Sequence, residues 1–201
     1  MPRLKAPQRR EQLIEVATKL FARNGYAATT TAAIALAAGV TEPILYRHFD
    51  SKQELFVAIV RAVSLQTMNH WQELMAGVDD PAERIRRITK EFPAHAKHLS
   101  DAYHVLHGAL ATPPLDERSN PQRKVMGVMK EHYAQIEEFF STLIRDGQKA
   151  GIFRKDIDPK VPAWQLIMMG IGYAMISLNL SQFDETFVRE AIETTLRGLR
   201  A

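Results

Sequence analysis

Between positions 30 and 52 the chain collects hydroxyls, cations and polar-tipped rings: Thr30, Thr31, Thr41, Tyr46, Arg47, His48 and Lys52, with Glu42, Pro43 and Ile44 among them. Tyr46 and His48 each carry a polar tip on a rigid ring, a geometry suited to phosphate oxygens. Arg47 has a planar fork that fits two acceptors on a guanine edge and fits a phosphate equally well. Pro43 presents an apolar, donor-free surface of the kind that meets a thymine methyl. Lys52 falls in the first turn of a helix, where its charge opposes the macrodipole, and a backbone phosphate at that helix start would supply the missing reason. The surroundings are basic. Residues 1–61 hold nine Lys/Arg against five acids, or +4, whereas the rest of the chain sums to −1, so a polyanion is expected to dock at the N-terminal third.

Other chemistries are less well provided for. His95, His98, His104 and His107 invite a metal, but on one uninterrupted helix no three of them would share a face. A helical metalloenzyme built on the His95–His107 segment is the competing reading, and no HExxH, paired ExxH or nucleophile motif accompanies it. No catalytic residue, metal or cofactor is therefore expected. The absence of cysteine removes disulfides and thiolate metal sites and fits a reducing compartment. MPRLKAPQRR is basic without an apolar stretch behind it, unlike a secretory signal. The expected location is cytoplasmic.

The elements that must hold these residues are helices in succession. Gln8 to Arg23 spaces Leu13, Ile14, Ala17, Leu20 and Phe21 at helical intervals and stops at Asn24-Gly25. Thr30 or Thr31 caps a short helix through Ala37, ended near Gly39, and Thr41 to Phe49 forms a third. Pro43 then falls at the first or second helical position, where an N–H would have had no partner anyway. Ser51-Lys52-Gln53-Glu54 reads as a capping box for a fourth helix to about Ala76. Further helices are expected over about 82–98, with Pro93 forcing a kink or break, then 101–111, 121–149, 160–180 and 184–199, with an exposed loop from Ala111 to Pro121. No stretch alternates with a period of two, so the fold class is all-α. From Val161 to Phe183 no residue is charged. The prolines, amides and flanks there argue for a core or subunit interface rather than a membrane span.

Helix, glycine turn and short helix make a helix-turn-helix, whose second member enters the major groove. Ile34, Val40, Leu45 and Phe49 are expected to form its small core. "LIEVATKLFARNGY" followed by "TTTAAIALAAGVTEPILYRHFDSKQELF" resembles the N-terminal domain of the TetR family of bacterial transcriptional regulators over about residues 9–56. "LIRDGQKAGIFRKDIDP" extends the likeness into the body.

The resemblance implies a DNA-binding unit over 1–50 and an all-helical ligand-binding and dimerisation unit over 51–201. It puts Thr30, Thr31, Tyr46, His48 and Lys52 at phosphates, and Thr41, Glu42, Pro43, Ile44 and Arg47 where bases or backbone are met. Ile44 departs from the hydroxyl residue many members carry, which removes one expected bond to DNA. The implied partners are a palindromic DNA operator, a second copy through the last two helices, and a small, largely apolar or aromatic effector that releases a repressor by moving the fourth helix. Gly170 with Ala174, and a stripe of Phe187, Ala191, Ile192, Leu196 and Leu199, are expected at the dimer seam. Trp71, Tyr103, His107, Met129, Tyr133, Met169 and Tyr173 are the candidates for the effector pocket, and each taken singly reads equally well as core. A ligand-independent architectural DNA-binding protein is a further alternative.

Overall fold

The computed structural model describes residues 4–111, 120–180 and 185–201. Among these the chain forms α1 (Ala6–Asn24), α2 (Thr31–Ala37), α3 (Glu42–Tyr46), α4 (Lys52–Met75), α5 (Pro81–His98), α6 (Ser100–Ala111), α7 (Asn120–Lys149), α8 (Lys160–Leu180) and α9 (Glu185–Leu199). The described residues contain no strand beyond one isolated antiparallel bridge, Phe153 to Arg200. Most of the loop expected from Ala111 to Pro121 lies outside the described residues. No helix among the described residues is long and apolar enough to cross a membrane.

The chain divides into two compact units, Met1–Ser64 with Asp101–Lys130, and Leu65–Ser100 with Glu131–Ala201. In the first, Leu13, Ala17 and Phe21 of α1 are buried, as are Ile34 of α2, Leu45 of α3, Phe49, and Leu55 and Phe56 of α4. The short helices are fixed by their ends. Thr30 Oγ1 accepts from the Ala33 amide at 3.1 Å, the role of an N-cap. Gly39 has φ +68°, a value that other residues adopt only at a cost, and the next amide, Val40 N, closes the turn on Ala35 O at 2.9 Å. Pro43 occupies the second position of α3, and Ser51 Oγ accepts from the Glu54 amide at 3.2 Å to start α4.

The second unit is organised around Trp71, Ile85, Ile88, Phe140, Leu143, Ile144, Phe153 and the inner faces of α8 and α9. Pro93 neither breaks α5 nor ends it: the helix runs from Pro81 to His98 with Pro93 buried inside. An interior proline costs about 3 kcal/mol, and the buried face of Ile85, Ile88, Pro93 and Ala96 offsets a loss of that size. Gly170 and Ala174 face neighbours within the same chain. Ala174 is fully buried, and a Cβ on Gly170 would lie 3.4 Å from the Phe92 ring of α5, so this small pair admits a neighbouring helix of the same chain. On α9, Ile192, Leu196 and Leu199 point into the core while Phe187 is exposed. The stripe is thus two faces, the inner one joined by Val188.

Candidate nucleic-acid interface

Thr30, Thr31, Tyr46 and Lys52 line a shallow concavity of about 390 Å³ together with Thr29, Asp50, Ser51 and Gln53. Thr30, Thr41, Pro43, Tyr46 and Arg47 are exposed, and Thr31, Glu42, Ile44, His48 and Lys52 are half-buried. Three helix ends therefore bring together hydroxyls and a lysine that the sequence separates by about twenty positions. Two polar links join α2 to α3. Thr31 Oγ1 donates to Glu42 Oε1 at 2.5 Å, and the Tyr46 hydroxyl lies 3.2 Å from the same threonine oxygen.

Lys52 has a further role that its position at a helix start does not disclose. Its ammonium donates to the carbonyls of Tyr26 at 2.9 Å, Thr29 at 3.0 Å and Ala27 at 3.4 Å, and it sits 4.5 Å from the centre of the Tyr26 ring. Carbonyl oxygens and a ring face stabilise the cation, so the unfavourable dipole placement is answered from within the chain. These contacts explain the placement of the lysine without a bound phosphate. Partial burial draws its pKa below the ordinary lysine value. Asp50, Ser51 and Gln53 complete the concavity and were not singled out from the sequence. The capping signal at Ser51, next to Lys52, was the available pointer to them.

The effector candidates divide differently. Trp71 is buried between Phe139 and Phe140, with ring centres 5.0 and 5.1 Å away, and Tyr133 and Met169 pack partly buried against the same core. Tyr173 meets Phe92 edge-on at 6.0 Å. These four belong to one compact unit, while Tyr103, His107 and Met129 belong to the other. There Tyr103 and His107 lie 5.8 Å apart and Met129 is buried. Burial pushes the Tyr133 phenol up to about 12 and, together with repulsion from His104, draws His107 down.

The histidines do not converge. His95 and His98 close α5, whereas His104 and His107 lie on α6, so the single helix assumed for them does not exist. Among the described residues no three His, Cys, Asp or Glu side chains are grouped to hold a metal. His95 instead stacks on His70 at 4.7 Å and shares a hydrogen bond with Thr67 Oγ1 at 3.2 Å.

A helix-turn-helix with an exposed polar end, followed by a helical body, defines a class of DNA-binding regulators. Residues 13–59 match the family model of bacterial regulatory proteins of the tetR family. The chain is 30% identical over 151 residues to the HTH-type transcriptional repressor KstR2 of Rhodococcus jostii, covering 75% of this chain and 70% of the relative. It is 32% identical to the HTH-type transcriptional activator FasR of Mycolicibacterium smegmatis over 52% of this chain and 48% of the relative. The solved structure of a TetR-family transcriptional regulator from Rhodococcus sp. superposes with a TM-score of 0.80 over 97% of this chain and all of that one, at 15% identity. The chain belongs to the TetR family. It is a transcriptional regulator, and the relatives named above are transcriptional regulators rather than enzymes.

Proposed function

We propose that the chain is a homodimeric repressor that grips a near-palindromic operator through Thr30, Thr31, Thr41, Glu42, Pro43, Ile44, Tyr46, Arg47, His48 and Lys52. A small effector in the helical body releases it. The observation that carries the DNA reading is the concavity where Thr30, Thr31, Tyr46 and Lys52 meet, because a cation and hydroxyls that can exchange partners around one hollow suit a phosphate. Lys52 takes part there as the brace of the Tyr26–Thr29 loop as well as a cation.

A second copy is supported by α8. Val161, Trp164, Met168 and Met175 recur at helical spacing and are all exposed, Met168 by 59%. An apolar stripe of that kind favours association across a two-fold axis. Two recognition helices would then stand about 34–36 Å apart on one face of the duplex. The effector is apolar or aromatic on the strength of Tyr133 and Met169, which border the core without being sealed in it, and of half-buried Tyr173 beside Phe92. Coupling of about 1–3 kcal/mol between effector and operator is enough for control, with α4 as the element continuous from one unit to the other.

Selection of bound sequences from random duplex DNA tests the reading. The expected product is an inverted repeat bound with a steep salt dependence, each neutralised phosphate adding about 0.9 to the slope. Recovery of no preferred sequence, with no salt-sensitive binding, would refute it. Met168→Glu is expected to convert a dimer to a monomer in sedimentation and to abolish binding to the full repeat.

A further inference from the structure

Thr31 opens α2 and Glu42 opens α3, and their hydrogen bond ties the two helices. A hydroxyl has one proton to give. Thr31 spends its proton on the Glu42 carboxylate, so the contact of 3.2 Å to Tyr46 can be closed only by the phenol donating to Thr31. The chain of bonds runs from Tyr46 to Thr31 to Glu42, and both hydroxyl protons are consumed within the protein. A DNA phosphate only accepts. Thr31 cannot donate to one until the carboxylate lets go, Tyr46 can do so only by giving up Thr31, and that carboxylate is an acid in a surface meant to approach a polyanion.

We propose that Glu42 is a specificity-determining residue that works by exchanging partners. On the operator its carboxylate leaves Thr31 and accepts from the amino group of a cytosine in the major groove, a pairing available to acidic side chains. Thr31 and Tyr46 are then free to donate to phosphate oxygens. On a duplex with no amino group at that position the carboxylate either keeps the Thr31 hydroxyl or faces the phosphates unpaired, and both outcomes weaken the complex. Glu42 therefore acts mainly by penalising wrong DNA, a device as effective for discrimination as a better fit to the right sequence. The inference rests on the DNA-binding reading above.

The test uses the full chain, its Glu42→Ala and Glu42→Gln variants, the duplex recovered by selection, and a scrambled duplex of equal length at the same salt. Glu42→Ala is expected to bind the scrambled duplex more tightly and the selected duplex more weakly, so that their affinity ratio falls by about tenfold or more. Repeating the selection with Glu42→Ala should erase a cytosine preference at one position in each half-site. Glu42→Gln, which retains an acceptor and adds a donor, should move that preference toward adenine. Parallel changes on both duplexes, or an unchanged selected sequence, would overturn the proposal. If the unaltered protein binds neither duplex, the DNA-binding reading fails instead. Melting curves verify that each variant is folded, and Glu42→Gln carries the comparison alone should Glu42→Ala not fold.

Discussion

Tyr46 and Tyr133 end in the same phenol and sit in opposite surroundings. Tyr46 is 46% exposed on a five-residue helix, its hydroxyl beside that of Thr31. Tyr133 is half-buried against the core that contains Trp71, and burial pushes its phenol up to about 12. Histidine repeats the contrast: His48 is half-buried beside the recognition helix, whereas His95 and His132 are buried in the body. In the head, polar groups stand at the surface and local hydrogen bonds aim them. In the body the same residue types are absorbed by packing, and their chemistry is turned toward stability.

The sharpest way to break the contrast is at the two ends of the aromatic series. Trp71→Ala should destabilise the protein by about 3–5 kcal/mol in urea or thermal unfolding, the cost of emptying a buried indole site. Tyr46→Phe should change stability by no more than about 0.5 kcal/mol while weakening DNA binding. A Tyr46→Phe variant that unfolds as readily as Trp71→Ala would erase the distinction.

Next in size is acid sensitivity. Burial draws His95 and His132 down to about 4, and for His95 the stacked His70 and nearby His98 add repulsion. A base whose folded pKa lies below its unfolded value of about 6.5 binds fewer protons in the native state. Stability is then complete above about pH 6.5 and falls as the pH drops toward 4, by up to about 1.4 kcal/mol per pH unit for each such group. Unfolding measured across that interval should show a shallower slope for His95→Gln than for the unaltered protein. Equal slopes would mean that His95 is not held neutral by the fold.

Lys52→Ala should cost about 1–2 kcal/mol, because it removes a charged donor from three carbonyls and the site is partly solvated. It should also shorten the salt slope of DNA binding by about 1 if the ammonium reaches a phosphate. Loss of stability with an unchanged slope would make Lys52 a brace only.

What the sequence disclosed follows the same division. The Thr30 cap, the turn at Gly39, the proline at the head of α3 and the Ser51 start of α4 are local signals, each complete within four or five residues, and each is found where it was expected. Lys52 was harder to read because its carbonyl partners belong to residues 26–29, far away in sequence. Pro93 leaves α5 unbroken because the rule against interior prolines is local, whereas the compensation, a buried face on α5, is tertiary. On α9 the alternation of Phe187 outward and Val188 inward hangs on one position of phase. Residue type alone does not separate a buried Trp71 from a half-buried Tyr173.

Helix α8 sets the smallest and most discriminating test. It is apolar nearly all round, so no hydrophobic periodicity orients it, and the sequence could not say which side its small residues face. The structure turns Gly170 toward Phe92, leaving 3.4 Å for a Cβ, and turns Met168 outward. A methyl group there is in ordinary van der Waals contact with the ring. Replacing a helical glycine by alanine contributes up to about 1 kcal/mol. Gly170→Ala should therefore be neutral or mildly stabilising and leave the oligomeric state unchanged, whereas Gly170→Leu should meet the Phe92 ring and destabilise by about 1–3 kcal/mol. If Gly170→Ala instead altered the oligomeric state in sedimentation, the glycine would lie against a second copy rather than α5, and the outward face of Val161, Trp164, Met168 and Met175 would lose its claim to the dimer.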